Sequence, residues 1–395
     1  MLNKTQVTKP SAATKFKTLF QHKLITSLLI LSFSAIASAD ATPTEEPSSP
    51  PINQPSQIEL PIITVHCGDL LTKSARIGND LNCPEITESA IYVVGNHIFI
   101  DGRGHSISAP NARNGLFANG SEISITGFRV NGLVKGNGIL AYDCPELSLF
   151  ENNFSNNQNG IMLYAEHTKM KKVWVVDNEA NHNSLFGIKT AFDGQGIIER
   201  PRITNNDFKN SGSYALSVEA SSYEINFTEM NQMNFSKGGI FLQGGDFYLH
   251  DFTLVKEEIK NVQIFIANAH SVTVKNVDLS TNYSHQTSDE AIGLDLYRAQ
   301  KFDIFRLKTA HNDVGLKLET EEQVPSSGRV RCSLFADNFT AGIMVSSYDQ
   351  TPYGAILFDN DKFKEPPFSR NVFIQEGTVA DPKFVSETDC NDHSF

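Results

Sequence analysis

Lys189, Glu219, Asp295 and Arg298 are the side chains of this chain best suited to proton transfer. A lysine with a lowered pKa can abstract a proton for β-elimination, and a carboxylate can act as general acid or base. Two carboxylates about 5–9.5 Å apart would suit glycoside hydrolysis. Tyr142, Tyr164 and Tyr297 offer flat apolar faces with a polar tip, a surface on which sugar rings stack. Lys317 and Glu319 join them as candidate substrate-binding residues. The plainer alternative is a solvated sheet face whose charges pair across neighbours, Lys317 with Asp295 for instance.

What positions these residues is a recurring phrase. It reads Asn137-Gly-Ile-Leu, Asn159-Gly-Ile-Met-Leu, Phe186-Gly-Ile-Lys-Thr, Gly238-Gly-Ile-Phe-Leu, Val314-Gly-Leu-Lys-Leu and Ala341-Gly-Ile-Met-Val, with looser copies at Ile91, Leu116, Leu216, Ile264 and Leu294. The first apolar residues fall at positions 91, 116, 139, 161, 188, 216, 240, 264, 294, 316 and 343, with gaps of 22 to 30. A variable period in the twenties describes a solenoid whose insertions lie in loops.

A second apolar pattern follows each phrase: Ile123 with Val130, Leu147 with Phe154, Val272 with Leu279 and Cys332 with Phe339, all seven apart. Two or three short alternating strands per repeat, punctuated by Gly, Asn and Asp, suit β turns. Helical repeats need longer units with 3.6-residue periodicity, which is missing here. The expected fold is all-β, a right-handed parallel β-helix of about 10–11 coils, because strands of about 4.8 Å spacing stack and parallel crossovers are right-handed. Alternation then points Leu140, Tyr142, Met162, Tyr164, Lys189, Ser217, Glu219, Phe241, Gln243, Asp295, Tyr297, Lys317 and Glu319 outward. The longer gaps, 188–216 and 264–294, are where loops walling a groove would arise.

Five lysines precede the apolar run Leu24 to Ala37, which ends in Ala37-Ser38-Ala39. That describes a secretory signal over residues 1–39, too short for a membrane span. Removing it leaves 28 Lys+Arg (33 − 5) against 45 Asp+Glu, a charge of −17 in place of −12. Such acidity argues against nucleic acid and against adsorption to anionic membranes, so no stable membrane insertion is expected after cleavage. A polyanionic glycan would need a local basic cluster or bound divalent cations such as Ca2+; no other cofactor is expected. Residues 40–57, rich in Pro, Ser and Glu, form a disordered linker, and the product is secreted or periplasmic.

Residues 58–88 read as an N-terminal cap, 89–350 as the repeats and 351–395 as a C-terminal cap and tail. In an oxidising compartment Cys67 and Cys83 are expected to pair. Cys332, at an apolar repeat position, reads as a buried thiol. Asn153, Asn226, Asn234 and Asn338 each begin Asn-Phe-Ser/Thr; they read as corner asparagines stacked in ladders more readily than as sugar acceptors. The histidines, His105, His167, His182 and His270 among them, show no metal-ligand spacing, and no metal site is expected. Glu166-His167 and His182 come from neighbouring coils and could meet, but satisfied surface histidines are the favoured reading.

The Asn-x-x-Gly-Ile-x-Leu coils with Asn-Asn-Phe turns resemble the right-handed parallel β-helix superfamily with the pectin-lyase-like fold. The segment from Cys67-Gly-Asp through Asp80-Leu-Asn-Cys83 to Asp101-Gly-Arg-Gly-His resembles the start of its carbohydrate-binding and sugar-hydrolysis type of domain. The resemblance implies that ligands lie along the outer face of one parallel sheet, and it spans roughly residues 60–350. The motif sets of polygalacturonases, alginate epimerases and pectate lyases are not matched, and the scaffold carries many activities. The expected role is therefore to bind a polysaccharide or cell-surface glycan along that face, with its cleavage or epimerisation left open. Its alternative is a non-catalytic surface or periplasmic interaction protein.

Overall fold

Alternating apolar residues that must be buried on one side, in a chain rich in Gly and Asn at corners, leave stacked coils as the solution. The computed structural model has that form. It describes residues 60–199, 201–220, 222–226, 238–253, 262–280, 291–321, 325–349, 351–364, 369–385 and 390. Residues 1–39, expected to be a signal, residues 40–57, expected to be a linker, Asn234 and the side chain of Asn226 lie outside the described residues.

The described strands pair in parallel, with no helix among the described residues. A thirteen-stranded sheet, here the long sheet, runs from Asp69–Leu71 to Arg370–Ile374. Its register joins every repeat position: Ile91, Leu116, Ile139, Ile161, Ile188, Leu216, Ile240, Ile264, Leu294, Leu316 and Ile343 are paired in unbroken succession. All eleven have 0% exposure. Each such side chain contributes about 1.5–3 kcal/mol by leaving water. The protein is a right-handed parallel β-helix.

The Gly of the phrase is there because the next coil is close. A Cβ on Gly160 would sit 2.6 Å from the Gly187 carbonyl oxygen, and one on Gly187 would meet Ala215 O at 2.6 Å.

The opposite wall changes along the chain. In the N-terminal half a seven-stranded sheet from Ile62–Ile63 to Arg202–Thr204 is made of short strands, with a separate three-stranded sheet of Leu81–Asn82, Ser106–Ser108 and Arg129–Asn131. In the C-terminal half a nine-stranded sheet carries ten-residue strands, Ser271–Ser280 and Lys301–Ala310. Each of these crosses a corner at a positive-φ residue, Asn276 (53°) or Arg306 (54°). Residues 62–82, read from sequence as a cap, contribute a first strand to each of three sheets.

Asparagine ladders close the corners of the N-terminal half. Asn152, Asn178 and Asn206 are buried, and each amide donates to the carbonyl oxygen of the next at 3.0 Å. Asn159, Asn137 and Asn114 form a second chain at 2.8 and 2.9 Å. The first ladder falls on Asn152, one residue before the expected Asn153; Asn153 instead donates to Glu179 Oε2 at 2.6 Å. Asn338 does stack, accepting the Asn312 N–H at 3.2 Å.

Two expectations need correction. Cys332 is buried but is no thiol: it pairs with Cys390, with Cα atoms 5.7 Å apart. The apolar frame assigned there is shifted, since Val330 and Phe335 point inward while Phe339 is 43% exposed. Cys332 sits at the corner between two strands, with φ 53°, so apolar character alone misassigned it to the inner row. Cys67 and Cys83 form the other disulfide, and Cys144 is a buried free cysteine.

Candidate functional site

The outer face of the long sheet presents two columns of side chains. One runs Leu70, Tyr92, Phe117, Leu140, Met162, Lys189, Ser217, Phe241, Phe265, Asp295, Lys317, Met344, Phe373, each paired with the next. The second includes Tyr142 beside Tyr164, then Glu219 beside Gln243, and Tyr297 beside Glu319.

At the N-terminal end aromatic rings follow one another from coil to coil. Centroids are 5.8 Å apart for Tyr92 and Phe117, 6.3 Å for Phe117 and Tyr142, and 5.8 Å for Tyr142 and Tyr164. These spacings lie within the range of favourable aromatic pairs. A groove of about 460 Å³ opens beside them, with Tyr92, Phe117 and Leu140 as its floor and Glu88, Arg113 and Lys135 at its rim. Arg113 and Glu88 approach at 3.6 Å.

The ladder ends in a polar corner. Tyr142 donates its hydroxyl proton to Glu166 Oε2, and that bond, before burial, raises the phenol pKa to about 12. The same hydroxyl is 3.3 Å from His167 Nδ1. Asp143 Oδ2 lies 3.1 Å from that nitrogen, and Oδ1 accepts the Glu166 and Thr168 N–H groups and the Thr168 hydroxyl. Burial alone would raise the Asp143 pKa, but those donors more than offset it and the net shift is downward. The clamp is a recurring corner device. Asp80 holds His105 and Ser106, and Asp246 holds His270 and Ser271, in the same way. Its recurrence marks Asp143–His167 as a structural staple, to which Tyr142 and Glu166 are added. His182 is exposed, and its backbone N–H donates to Lys209 O at 2.9 Å.

Farther along, the face carries a covered charge cluster. Lys317 Nζ is 2.6 Å from Glu319 Oε1, with side chains only 11% and 6% exposed. Asp295, paired with Lys317 in register, is 5% exposed. Burial would lower the lysine pKa, but attraction to Asp295 and Glu319 outweighs it and the net shift is upward. Tyr348 donates to Glu319 Oε1 at 3.0 Å, and Tyr353 donates to the carbonyl oxygens of Leu318 and Ser346, both at 2.8 Å. Tyr297 bonds Glu321 through its hydroxyl. A lysine so strongly protonated is a poor base.

The four candidates for proton transfer are thus divided. Lys189 and Glu219 are on adjacent coils, and the lysine partly counters the upward shift that burial imposes on Glu219. Asp295 is four coils from Lys189 in register, a separation of roughly 19 Å at about 4.8 Å per coil. Arg298 lies in a turn at φ 58°, its guanidinium 5.9 Å from the Tyr297 ring centroid. Glu219 and Asp295 therefore do not form a carboxylate pair for glycoside cleavage, whereas Asp295, Lys317 and Glu319 do come together. Tyr92, Phe117, Glu166 and Tyr348 enlarge the set. The first two follow from applying the alternation rule to the looser repeats at Ile91 and Leu116. The extra residues of the 188–216 gap place Ile197–Ile198 beside Lys169–Met170 as a corner pair; residues 281–290 of the other gap lie outside the described residues. Among the described residues no group of three or more His, Cys, Asp or Glu could hold a metal ion.

Residues 114–207 match a family model described as a right-handed β-helix region. The matched stretch contains most of the aromatic ladder and its polar corner. No curated protein and no solved structure matches the chain.

Proposed function

We propose that this protein is exported and binds an extended polysaccharide along the outer face of the long sheet. The observation that carries the reading is the ladder of Tyr92, Phe117, Tyr142 and Tyr164, whose first two rings line an open groove. Rings in successive coils offer repeated stacking surfaces to a repeating ligand, and the rim groups offer hydrogen bonds to its hydroxyls. The two disulfides support export, since such bonds persist in oxidising compartments. Binding is favoured over catalysis because the candidate acids and bases are spread along the face or neutralised in the covered cluster.

The test is calorimetry of the protein, without residues 1–39, against neutral, acidic and amino-sugar oligosaccharides, with reducing ends and unsaturated products measured alongside. Saturable binding that Tyr92→Ala and Tyr164→Ala each weaken about tenfold, the scale of one lost interface anchor, supports the proposal. Absence of binding to every oligosaccharide defeats it. Turnover abolished by Lys189→Ala or Glu219→Ala would restore the lyase or hydrolase reading.

A further inference from the structure

The ladder is not electrically neutral along its length. At the ends of four successive long-sheet strands stand Asp143, Glu166, Asp193 and Glu219. Register fixes their succession: Tyr142 pairs with Tyr164, Tyr164 with Ala191, and Lys189 with Ser217. Glu166 and Asp193 thus stand opposite each other on adjacent coils, about 4.8 Å apart, a step comparable with one sugar residue of an extended chain, while Asp143 falls one residue and Glu219 two residues earlier along the strand direction. Against these four charges the four long-sheet strands themselves set only Lys189, with the titratable His167 just past the second, a balance of −4 + 1 = −3 with the histidine neutral; Lys169, Lys171, Lys172, Arg202 and Lys209 lie in the segments between those strands. Lys189 itself leans over the Phe186 ring, 5.3 Å from its centroid.

These groups are accessible in different degrees. The Glu166 side chain is 42% exposed and Asp193 is exposed, whereas the Asp143 side chain is 7% exposed and used by its clamp. Tyr164 feels the row. Burial first, then Asp193, Glu166, Asp143 and Glu219, shift its phenol upward.

We propose that this stretch, residues 142–219, selects a polysaccharide bearing protonated amino groups, the aromatic rings taking the sugar faces and Glu166 and Asp193 the ammonium groups. The inference rests on the glycan-binding reading above and narrows it through charge complementarity. A uronate polymer would bring like charges against the row, at a cost. On the four long-sheet strands of this stretch it would meet Lys189 alone among the described lysines and arginines. This argues against β-elimination here, which needs a sugar carboxylate to acidify the proton being removed.

Three probes decide the matter: the β-1,4-linked glucosamine hexamer, its fully N-acetylated counterpart and hexagalacturonate, titrated calorimetrically where the amines are protonated. The expected result is that the amine hexamer binds at least tenfold more tightly than the N-acetylated one, with the advantage shrinking as salt is raised. Hexagalacturonate should bind most weakly of the three. In Glu166→Gln/Asp193→Asn the ratio of the first two affinities should fall towards one. Both substitutions are isosteric, and the glutamine can still accept the Tyr142 proton, so an unchanged melting curve certifies the fold. Equal or tighter binding of hexagalacturonate, or an unchanged ratio in the double variant, overturns the amine preference while glycan binding stands. If none of the three binds while another oligosaccharide does, the amine preference alone falls; if no oligosaccharide binds, the glycan reading falls with it.

Discussion

The two ends of the outer face use the same positions for different purposes. From Tyr92 to Tyr164 each coil presents an outward ring that remains partly accessible, packed coil on coil, with Leu140 and Met162 beside Tyr142 and Tyr164. From Asp295 to Glu319 the same two columns hold charges that are covered and satisfy one another. Strand alternation assigns both sets to the outside, but accessibility separates them. An outward position in a solenoid is an opportunity for ligand contact only where no later segment folds over it. Here Tyr348 and Tyr353, both following the Ala341–Ser347 strand, reach back over the charges.

The contrast is testable, and the largest effect should come from the covered end. Lys317→Met leaves two buried carboxylates uncompensated and should cost about 3–5 kcal/mol. Thermal or denaturant unfolding measures it, and adding Asp295→Asn and Glu319→Gln should recover most of the loss. A loss under about 1 kcal/mol would mean that the cluster behaves as a surface ion pair. In the aromatic half the corresponding stability-sensitive position lies inside the phrase. Gly187→Val drives side-chain atoms into the Ala215 carbonyl and should cost about 1–3 kcal/mol, whereas Tyr164→Ala should affect ligand affinity more than melting.

The two ends should also respond to opposite extremes of pH. Lys317 has a folded pKa above its ordinary 10.5. Its stabilising contribution is full below 10.5 and lost as pH rises through the higher folded value. Asp143 has a folded pKa below its ordinary 3.8; its contribution is full above 3.8 and lost as pH falls through the lower folded value. Melting temperatures across both limbs should show Lys317→Met flattening the alkaline side and Asp143→Asn the acid side, each leaving the other limb in place. The smallest effect should be Tyr142→Phe, which removes one hydroxyl contact with Glu166 and should change stability by about 1 kcal/mol or less.

The fold was legible because one row of residues had to be aliphatic in every coil. Ile139, Ile161 and Ile188 are paired as their spacing predicts, and the looser repeats fall into the same register. The rule weakened where the signal was a single apolar letter. Cys332 matches an aliphatic residue in polarity, yet it is drawn to the corner by a disulfide with a residue 58 positions away, a distance no local pattern spans. Asn153 was off by one because both asparagines of Asn-Asn-Phe suit a corner, and only coil-to-coil bonding identifies Asn152 as the ladder member. For the site, alternation placed Asp295, Lys317 and Glu319 together, but burial of outward residues depends on segments that arrive later in the chain. Glu166 and His167 lie just past a strand end, where the two-residue period no longer says which way a side chain points.

The unbroken register of the long sheet has one more consequence. Each coil meets chiefly its two neighbours, and the Asn152, Asn178 and Asn206 amides repeat the same donor and acceptor from coil to coil. A duplicated stretch of one repeat could therefore slot in without new contacts having to be invented at either boundary. The span of polymer that the proposed binding face could grip would then become a matter of counting, a trait that inheritance can adjust by copying or dropping one unit at a time.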